Sequence, residues 1–270
     1  MIKIIFCDMD GTLLDGDGNM PPMFDDVVGE VIKRGAIFAP ASGRQYSALL
    51  RQMGKYIDDF VFISENGTFI ARHDKEIWSS TMKKGDVERV LRKGLAIPRC
   101  YSVLCGKRLA FVTREWEPYM ENMRQYFTQC KIVDDLFQTI DDEDIIKVAF
   151  CDAERGDAER TIYPPLMTED GPVHVVLSSN YWVDVMNPGV NKGVAVRRVQ
   201  RALGIKPEEC AAFGDYLNDI EMLSAVGYGF AMENAHEDVK KIAKYRAPKN
   251  IEYGVMTKIK ELLDKGLIGA

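Results

Sequence analysis

The chain has no pair of cysteines two residues apart and no cysteine spacing that suits a metal site. Its six cysteines (Cys7, Cys100, Cys105, Cys130, Cys151, Cys210) sit mostly in apolar stretches, where a thiol behaves as a small hydrophobe. Reduced thiols and a cytoplasmic location are therefore expected. No apolar run approaches the roughly 20 residues of a membrane span, so no membrane partner is expected. No charged-then-apolar leader precedes the first strand, and no signal peptide is expected. Clustered basic charge is also missing. A net charge of -6 argues against a nucleic-acid partner, whose phosphate backbone demands grouped Lys and Arg, but leaves room for small phosphorylated ligands. There is no internal repeat and no low-complexity segment. The acidic run Asp141-Asp142-Glu143-Asp144 reads as a solvated loop.

What is present is an ordinary globular composition: 270 residues, 46% hydrophobic and 28% charged, enough for one large domain or two modest ones. The first third alternates strand and helix signals. A short apolar run, Ile2 to Cys7, ends in Asp8-Met9-Asp10-Gly11-Thr12. Pro21 and Pro22 open an amphipathic helix carrying Val27, Val28, Val31 and Ile32 and stopped by Gly35. A strand (Ala36 to Ala39), a helix through Leu49, Leu50 and Met53, a strand (Phe60 to Ile63) and the turn Glu65-Asn66-Gly67 follow. This βαβαβ order predicts a parallel sheet. The last third alternates in the same way, with a helix from Asn191 to Leu203 ended by Gly204, a strand (Cys210 to Phe213), a helix (Asn218 to Ala225), a strand (Tyr228 to Met232) and two terminal helices. The middle differs. A hairpin over Val103 to Thr113, a helix over Trp116 to Phe127, a strand at Ile145 to Phe150 and a strand pair (His174 to Leu177, Tyr181 to Met186) predict an α+β module inserted into an α/β one.

Two carboxylates at a strand end stand where an open parallel sheet receives its ligands. Asp8 and Asp10 repel unless something positive lies between them, which points to a hard divalent cation. An acidic turn after an edge strand is the plain alternative. Three further sites fall at strand ends or helix starts. Ser42-Gly43-Arg44 offers a hydroxyl and free N–H groups to an anion, though Ser42 also reads as an ordinary helix cap. Lys192 sits in the first turn of a helix, where the positive end disfavours a cation unless an anion is held nearby; a solvated lysine is the alternative. In Gly214-Asp215-Tyr216-Leu217-Asn218-Asp219, two acids four residues apart repel mildly unless they share a cation or a hydrogen-bonded role; a capping Asp with a second first-turn Asp is the alternative.

In this order, Asp8-Met9-Asp10-Gly11-Thr12, Ser42-Gly43-Arg44, Lys192-Gly193 and Gly214 to Asp219 resemble the four signature motifs of the haloacid dehalogenase superfamily. The long insertion resembles the large cap of its Cof-type sugar-phosphatase branch. Ser42 stands where Thr is more usual, and Tyr216 replaces a commonly small residue. The resemblance implies a Rossmann-like α/β core over residues 1–81 and 188–270, with an α+β cap over 82–187. It implies a phosphatase acting on small phosphorylated metabolites such as sugar phosphates, as a monomer or weak homodimer. Asp8 would be the nucleophile and Asp10 the acid and base. Mg2+ would rest on the Asp8 carboxylate, the Asp10 backbone carbonyl and Asp215, with Asp219 orienting from behind. Met9, Ser42, Gly43, Arg44, Lys192 and Asn218 would bind phosphate or substrate. Cap candidates for specificity are His174, Ser178, Asn180, Tyr181 and Trp182, with Arg44 and Asn66 from the core rim. A phosphomutase and a receiver-type phospho-aspartate switch are the competing readings.

Overall fold

The structure is a computed structural model that describes residues 1–168 and 171–270. Strand β1 (Ile4–Cys7) is buried throughout and runs into a wide turn over Met9–Leu13. Helix α1 (Phe24–Lys33) turns Phe24, Val27, Val28 and Val31 inward, the i, i+3, i+4, i+7 stripe of a surface helix, and β2 (Ile37–Pro40) returns parallel to β1. Helix α2 (Tyr46–Met53) leads to β3 (Val61–Ser64). Here the expected βαβαβ sheet is corrected. β3 touches the end of β2 through a parallel bridge at Ala41 and Ile63, but opens a separate antiparallel sheet with β4 (Phe69–Arg72) and β5 (Lys75–Ser79). The Glu65-Asn66-Gly67 turn is the cause: all three residues take positive φ (51°, 55° and 93°), which reverses the chain within three positions.

Helix α3 (Lys84–Leu95) precedes β6 (Tyr101–Gly106) and β7 (Ala110–Thr113), the anticipated hairpin. The helix expected over Trp116 to Phe127 is broken: tight turns cover Arg114–Tyr119 and only α4 (Met120–Met123) is α-helical. Pro118 lies inside this stretch and has no N–H for a helical bond. An unanticipated strand β8 (Cys130–Val133) follows, then β9 (Ile145–Cys151), α5 (Ala158–Thr161), α6 (Tyr163–Met167), β10 (His174–Leu177) and β11 (Trp182–Met186). These strands form a sheet in the order β10-β11-β9-β6-β7-β8, antiparallel except for the β7–β8 pair. One face packs on α3, α5 and α6 through Val87, Leu91, Phe150 and Leu166. The other carries Val103, Ala149, Trp116, Met123 and Phe127.

The chain then supplies α7 (Lys192–Leu203), β12 (Cys210–Gly214), α8 (Ile220–Ser224), β13 (Tyr228–Met232), α9 (Glu237–Ile242), β14 (Tyr245–Ala247) and α10 (Gly254–Asp264). The fully parallel core sheet reads β14-β13-β12-β1-β2. Its register puts Cys7 opposite both Phe213 and Pro40. The residues that follow these strands therefore leave the sheet side by side at its carboxyl edge, where chain order reverses around β1 and ligand crevices form. No helix among the described residues is long and apolar enough to cross a membrane.

Candidate active site

Strand register brings Asp8 and Asp215 together, and α7 brings Lys192 beneath them. Asn191 caps α7 by accepting the Val194 N–H at 2.8 Å, which fixes the helix start and aims Lys192 at the sheet edge. The Lys192 ammonium donates to Asp8 Oδ1 at 2.5 Å and to Asp219 Oδ1 at 2.7 Å, with all three side chains buried. The other oxygen of Asp219 accepts the backbone N–H groups of Asp215 (3.0 Å) and Tyr216 (3.2 Å). Asp219 thus ties Lys192 to the loop that carries Asp215. The closeness of this loop also accounts for Gly214, where a Cβ would strike the Asp219 carboxylate.

Asp215 accepts the Thr12 hydroxyl at 2.7 Å through Oδ1. Gly11, at φ +78°, packs directly on the Asp215 carboxylate, where a side chain would collide with it. Asp8, Asp215 and Asp219 each place one carboxylate oxygen within 4.8 Å of the others. Among the described residues, no protein hydrogen bond reaches Asp8 Oδ2 or Asp215 Oδ2. Burial pushes the Asp8 carboxyl up to about 7, an effect Lys192 only partly offsets. Burial and then the Asp8 charge push Asp215 well above the usual carboxylate range. Burial opposes the charge on Lys192, but Asp219 and Asp8 outweigh it and leave its pKa raised. Three carboxylates thus crowd together, only two of them paired with the Lys192 ammonium, and among the described residues Asp8 Oδ2 and Asp215 Oδ2 accept no protein hydrogen bond. Hard oxygen donors with surplus negative charge suit a divalent cation such as Mg2+.

Asp10 points the other way. Its carboxylate, 44% exposed, is gripped by Arg44 through Nε (2.8 Å) and Nη2 (2.5 Å). Arg44 itself is buried, donates to the Gln125 carbonyl at 3.1 Å and lies 5.1 Å from the Tyr126 ring centre. Arg44 thus reaches Asp10 and, across the cleft, the segment following α4. Ser42 Oγ accepts the Arg44 N–H at 3.1 Å and, with Gly43 and Asn218, lines a cavity of about 70 Å3 over Asp8 and Asp10. Met9 turns its side chain into the apolar core, which leaves only its backbone for a ligand.

Two residues of the cavity roof, Lys147 and Asp184, were not singled out by the sequence pattern. Lys147, from β9, is buried, pairs with Glu65 Oε2 at 2.5 Å and Asp184 Oδ1 at 3.3 Å, and donates to the Gly43 carbonyl at 2.9 Å. Asn66 donates to Asp184 and to Ser178 Oγ (3.0 Å), and accepts from Asn218 at 2.9 Å. Ser178 donates to Asp184 at 2.5 Å. The one available signal was a lone charge in an otherwise apolar strand, Lys147 in β9 and Asp184 in β11. Of the other cap candidates, Ser178 and Trp182 line the cavity, as does Tyr216, whose hydroxyl donates to Asn180 at 3.0 Å. His174 lines a separate cavity, and Tyr181 lies on an outer groove.

The family model described as haloacid dehalogenase-like hydrolase matches residues 5–259. The 5-amino-6-(5-phospho-D-ribitylamino)uracil phosphatase YbjI of Escherichia coli (strain K12) is 31% identical over 265 residues, 97% of this chain and 96% of that one. The crystal structure of a Streptococcus mutans UA159 protein shares the fold at a TM-score of 0.89 and 24% identity, covering 98% of this chain and 100% of that one. A subclass IIB sugar phosphatase, BT4131, does so at a TM-score of 0.82 and 23% identity, covering 98% and 100%.

Proposed function

Because this chain belongs to the haloacid dehalogenase-like hydrolases, we propose that it is a Mg2+-dependent phosphatase of small phosphorylated metabolites, sugar or polyol phosphates first among them. The observation that carries this reading is the close cluster of Asp8, Asp215 and Asp219, of which Asp8 and Asp219 pair with the buried Lys192 ammonium. A carboxylate nucleophile and a phosphate dianion repel each other, and such a cluster is built to receive the positive charge that cancels this.

Asp8 attacks phosphorus through a carboxylate oxygen and forms an O–P bond as the bond to the leaving alkoxide breaks. Asp10, at the mouth of the cavity, gives that alkoxide a proton, which requires that it leave the Arg44 pair and take up a proton before the transfer. It then takes one from the water that attacks the phosphoryl-aspartate, which releases phosphate and restores the Asp8 carboxylate. Lys192 offsets negative charge at Asp8 and at the incoming phosphoryl group. The Ser42 hydroxyl and the Gly43 N–H hold phosphoryl oxygens. Arg44 fixes the Asp10 carboxylate at the cavity mouth. Mg2+ would rest on Asp8, the Asp10 carbonyl and Asp215, and when bound supplies Lewis-acid charge at the phosphoryl oxygens.

The same proposal divides the chain into a core of 1–81 and 188–270 and a cap of 82–187. Supporting it, the apolar cluster around the parallel sheet is distinct from the two on the six-stranded sheet. Six unpaired thiols support a cytoplasmic home. The test is phosphate release from a panel of phosphorylated metabolites with Mg2+ and after chelation. Activity that requires Mg2+ is expected; activity indifferent to the chelator contradicts the proposal.

A further inference from the structure

We propose that Lys147, on β9 of the inserted sheet, is a positioning residue that reaches across to the core and holds the Ser42-Gly43-Arg44 turn in the form that receives a phosphoryl group. This role rests on the phosphatase function proposed above and adds a working part to it from outside the parallel sheet.

The turn has three successive backbone carbonyls, and each is held from outside the turn. The Ser42 carbonyl accepts the Asn66 N–H at 2.9 Å and the Arg44 carbonyl accepts the Glu65 N–H at 3.0 Å, both from the reversal that follows β3. The Gly43 carbonyl between them accepts the Lys147 ammonium at 2.9 Å, from a strand 104 positions further on. Gly43 has no side chain to restrain it, so without this bond the peptide plane it shares with Arg44 can turn. The N–H on the other side of that plane, from Arg44, donates to Ser42 Oγ at 3.1 Å. One peptide thus connects Lys147 to the Ser42 hydroxyl. With its oxygen engaged by that N–H, the hydroxyl keeps its own proton, which goes to no protein acceptor among the described residues. Ser42 and Gly43 line the cavity over Asp8, where that proton is available to a phosphoryl oxygen. Turning the plane withdraws the Arg44 N–H and lets the hydroxyl rotate away.

Lys147 is placed to hold the turn, not to bind substrate. Its ammonium is flanked by Glu65 Oε2 at 2.5 Å, on the core side, and by Asp184 Oδ1 at 3.3 Å, on its own sheet. With the Gly43 carbonyl these make three oxygens, as many as an ammonium has N–H groups, so none is left for a ligand. Asp184 is fixed in turn by Asn66 from the core and by Ser178 Oγ at 2.5 Å. All three charged side chains are buried, and a charge surrounded in this way leaves its partners only at high cost. The bond to Gly43 therefore exists only while the inserted sheet sits on the core. Docking of that sheet and readiness of the turn are one event.

The test is a double-mutant cycle on kcat/KM for p-nitrophenyl phosphate with Mg2+, using Lys147→Met, Ser42→Ala and the two together. Lys147→Met is expected to lower kcat/KM by about 30-fold when Ser42 is present and by less than about threefold once it is alanine. A merely structural lysine would give the same loss in both backgrounds. Equal losses, or no loss from Lys147→Met, overturn the positioning role and leave the phosphatase function standing. Binding of inorganic phosphate to the same four proteins, by titration calorimetry, repeats the cycle without turnover. If the intact protein hydrolyses no ester, the phosphatase function falls and this second cycle decides. Weakening by Lys147→Met that vanishes in the Ser42→Ala background supports the role; additive weakening, or no phosphate binding at all, overturns it. Lys147→Met leaves two acids buried without their cation. Should it not fold, Lys147→Met combined with Glu65→Gln and Asp184→Asn takes its place in both cycles.

Discussion

The Lys192 ammonium sits 2.5 Å from Asp8 Oδ1, although the two residues lie 184 positions apart in the chain. Among the described residues its polar partners are Asp8 and Asp219, and its side chain is wholly shielded from water. An ion pair this deep is stable as a set and poor when broken, because a removed partner leaves a charge buried alone.

Lys192→Ala should therefore destabilise the metal-free protein by about 3–5 kcal/mol at neutral pH, read from urea unfolding. It should also remove most phosphate release. A neutral effect on the unfolding midpoint would mean that the acids find another partner.

Stability should also respond jointly to pH and Mg2+. The Asp8 carboxyl is pushed from 3.8 to about 7, mainly by burial, so the folded chain keeps a proton there that the unfolded chain has lost. Stability from this group is present at low pH and is lost as pH rises from about 4 to about 7. Cation binding requires the deprotonated acids and reverses that loss. Saturating Mg2+ should raise Tm by about 5 °C at pH 8 and far less at pH 5, measured by scanning fluorimetry. An equal shift at both pH values would contradict a cation site on Asp8 and Asp215.

Gly11→Ala separates fit from fold. At φ +78° an alanine costs about 1–2 kcal/mol, and its methyl would press on the Asp215 carboxylate. We expect a modest drop in the urea midpoint but a 10- to 100-fold weaker requirement curve for Mg2+, read from activity against Mg2+ concentration. Unchanged Mg2+ dependence would show that Asp215 is not at the cation.

The convergence of Asp8, Asp215, Lys192 and Asp219 was legible because each stands at a strand end or helix start, and parallel strands bring their ends together whatever lies between. The family resemblance implies an orienting role for Asp219, and in the structure its carboxylate bonds Lys192 and two backbone N–H groups. The Glu65–Lys147–Asp184 set was not legible. Its members lie on three elements whose meeting depends on how the inserted sheet docks over the core, and pattern alone gives no docking. The grip of Arg44 on Asp10 was hidden for the same reason, since a Ser-Gly-Arg turn suggests an anion from outside, not a carboxylate from a neighbouring loop. Strands β5, β8 and β14 escaped because each is largely exposed and carries no buried apolar run. The broken helix at Trp116 to Phe127 shows a local feature, Pro118, overriding a helical period.

The central claim is that phosphate passes through the carboxylate of Asp8. Acid-quenching the enzyme during turnover of a phosphate ester, followed by peptide mass analysis, tests this directly, with Asp8→Asn as the control. The account predicts one phosphoryl group on the peptide holding Asp8, absent in the variant, which folds but does not turn over. Steady phosphate release by Asp8→Asn, or a phosphoryl group found on any other residue, would contradict it.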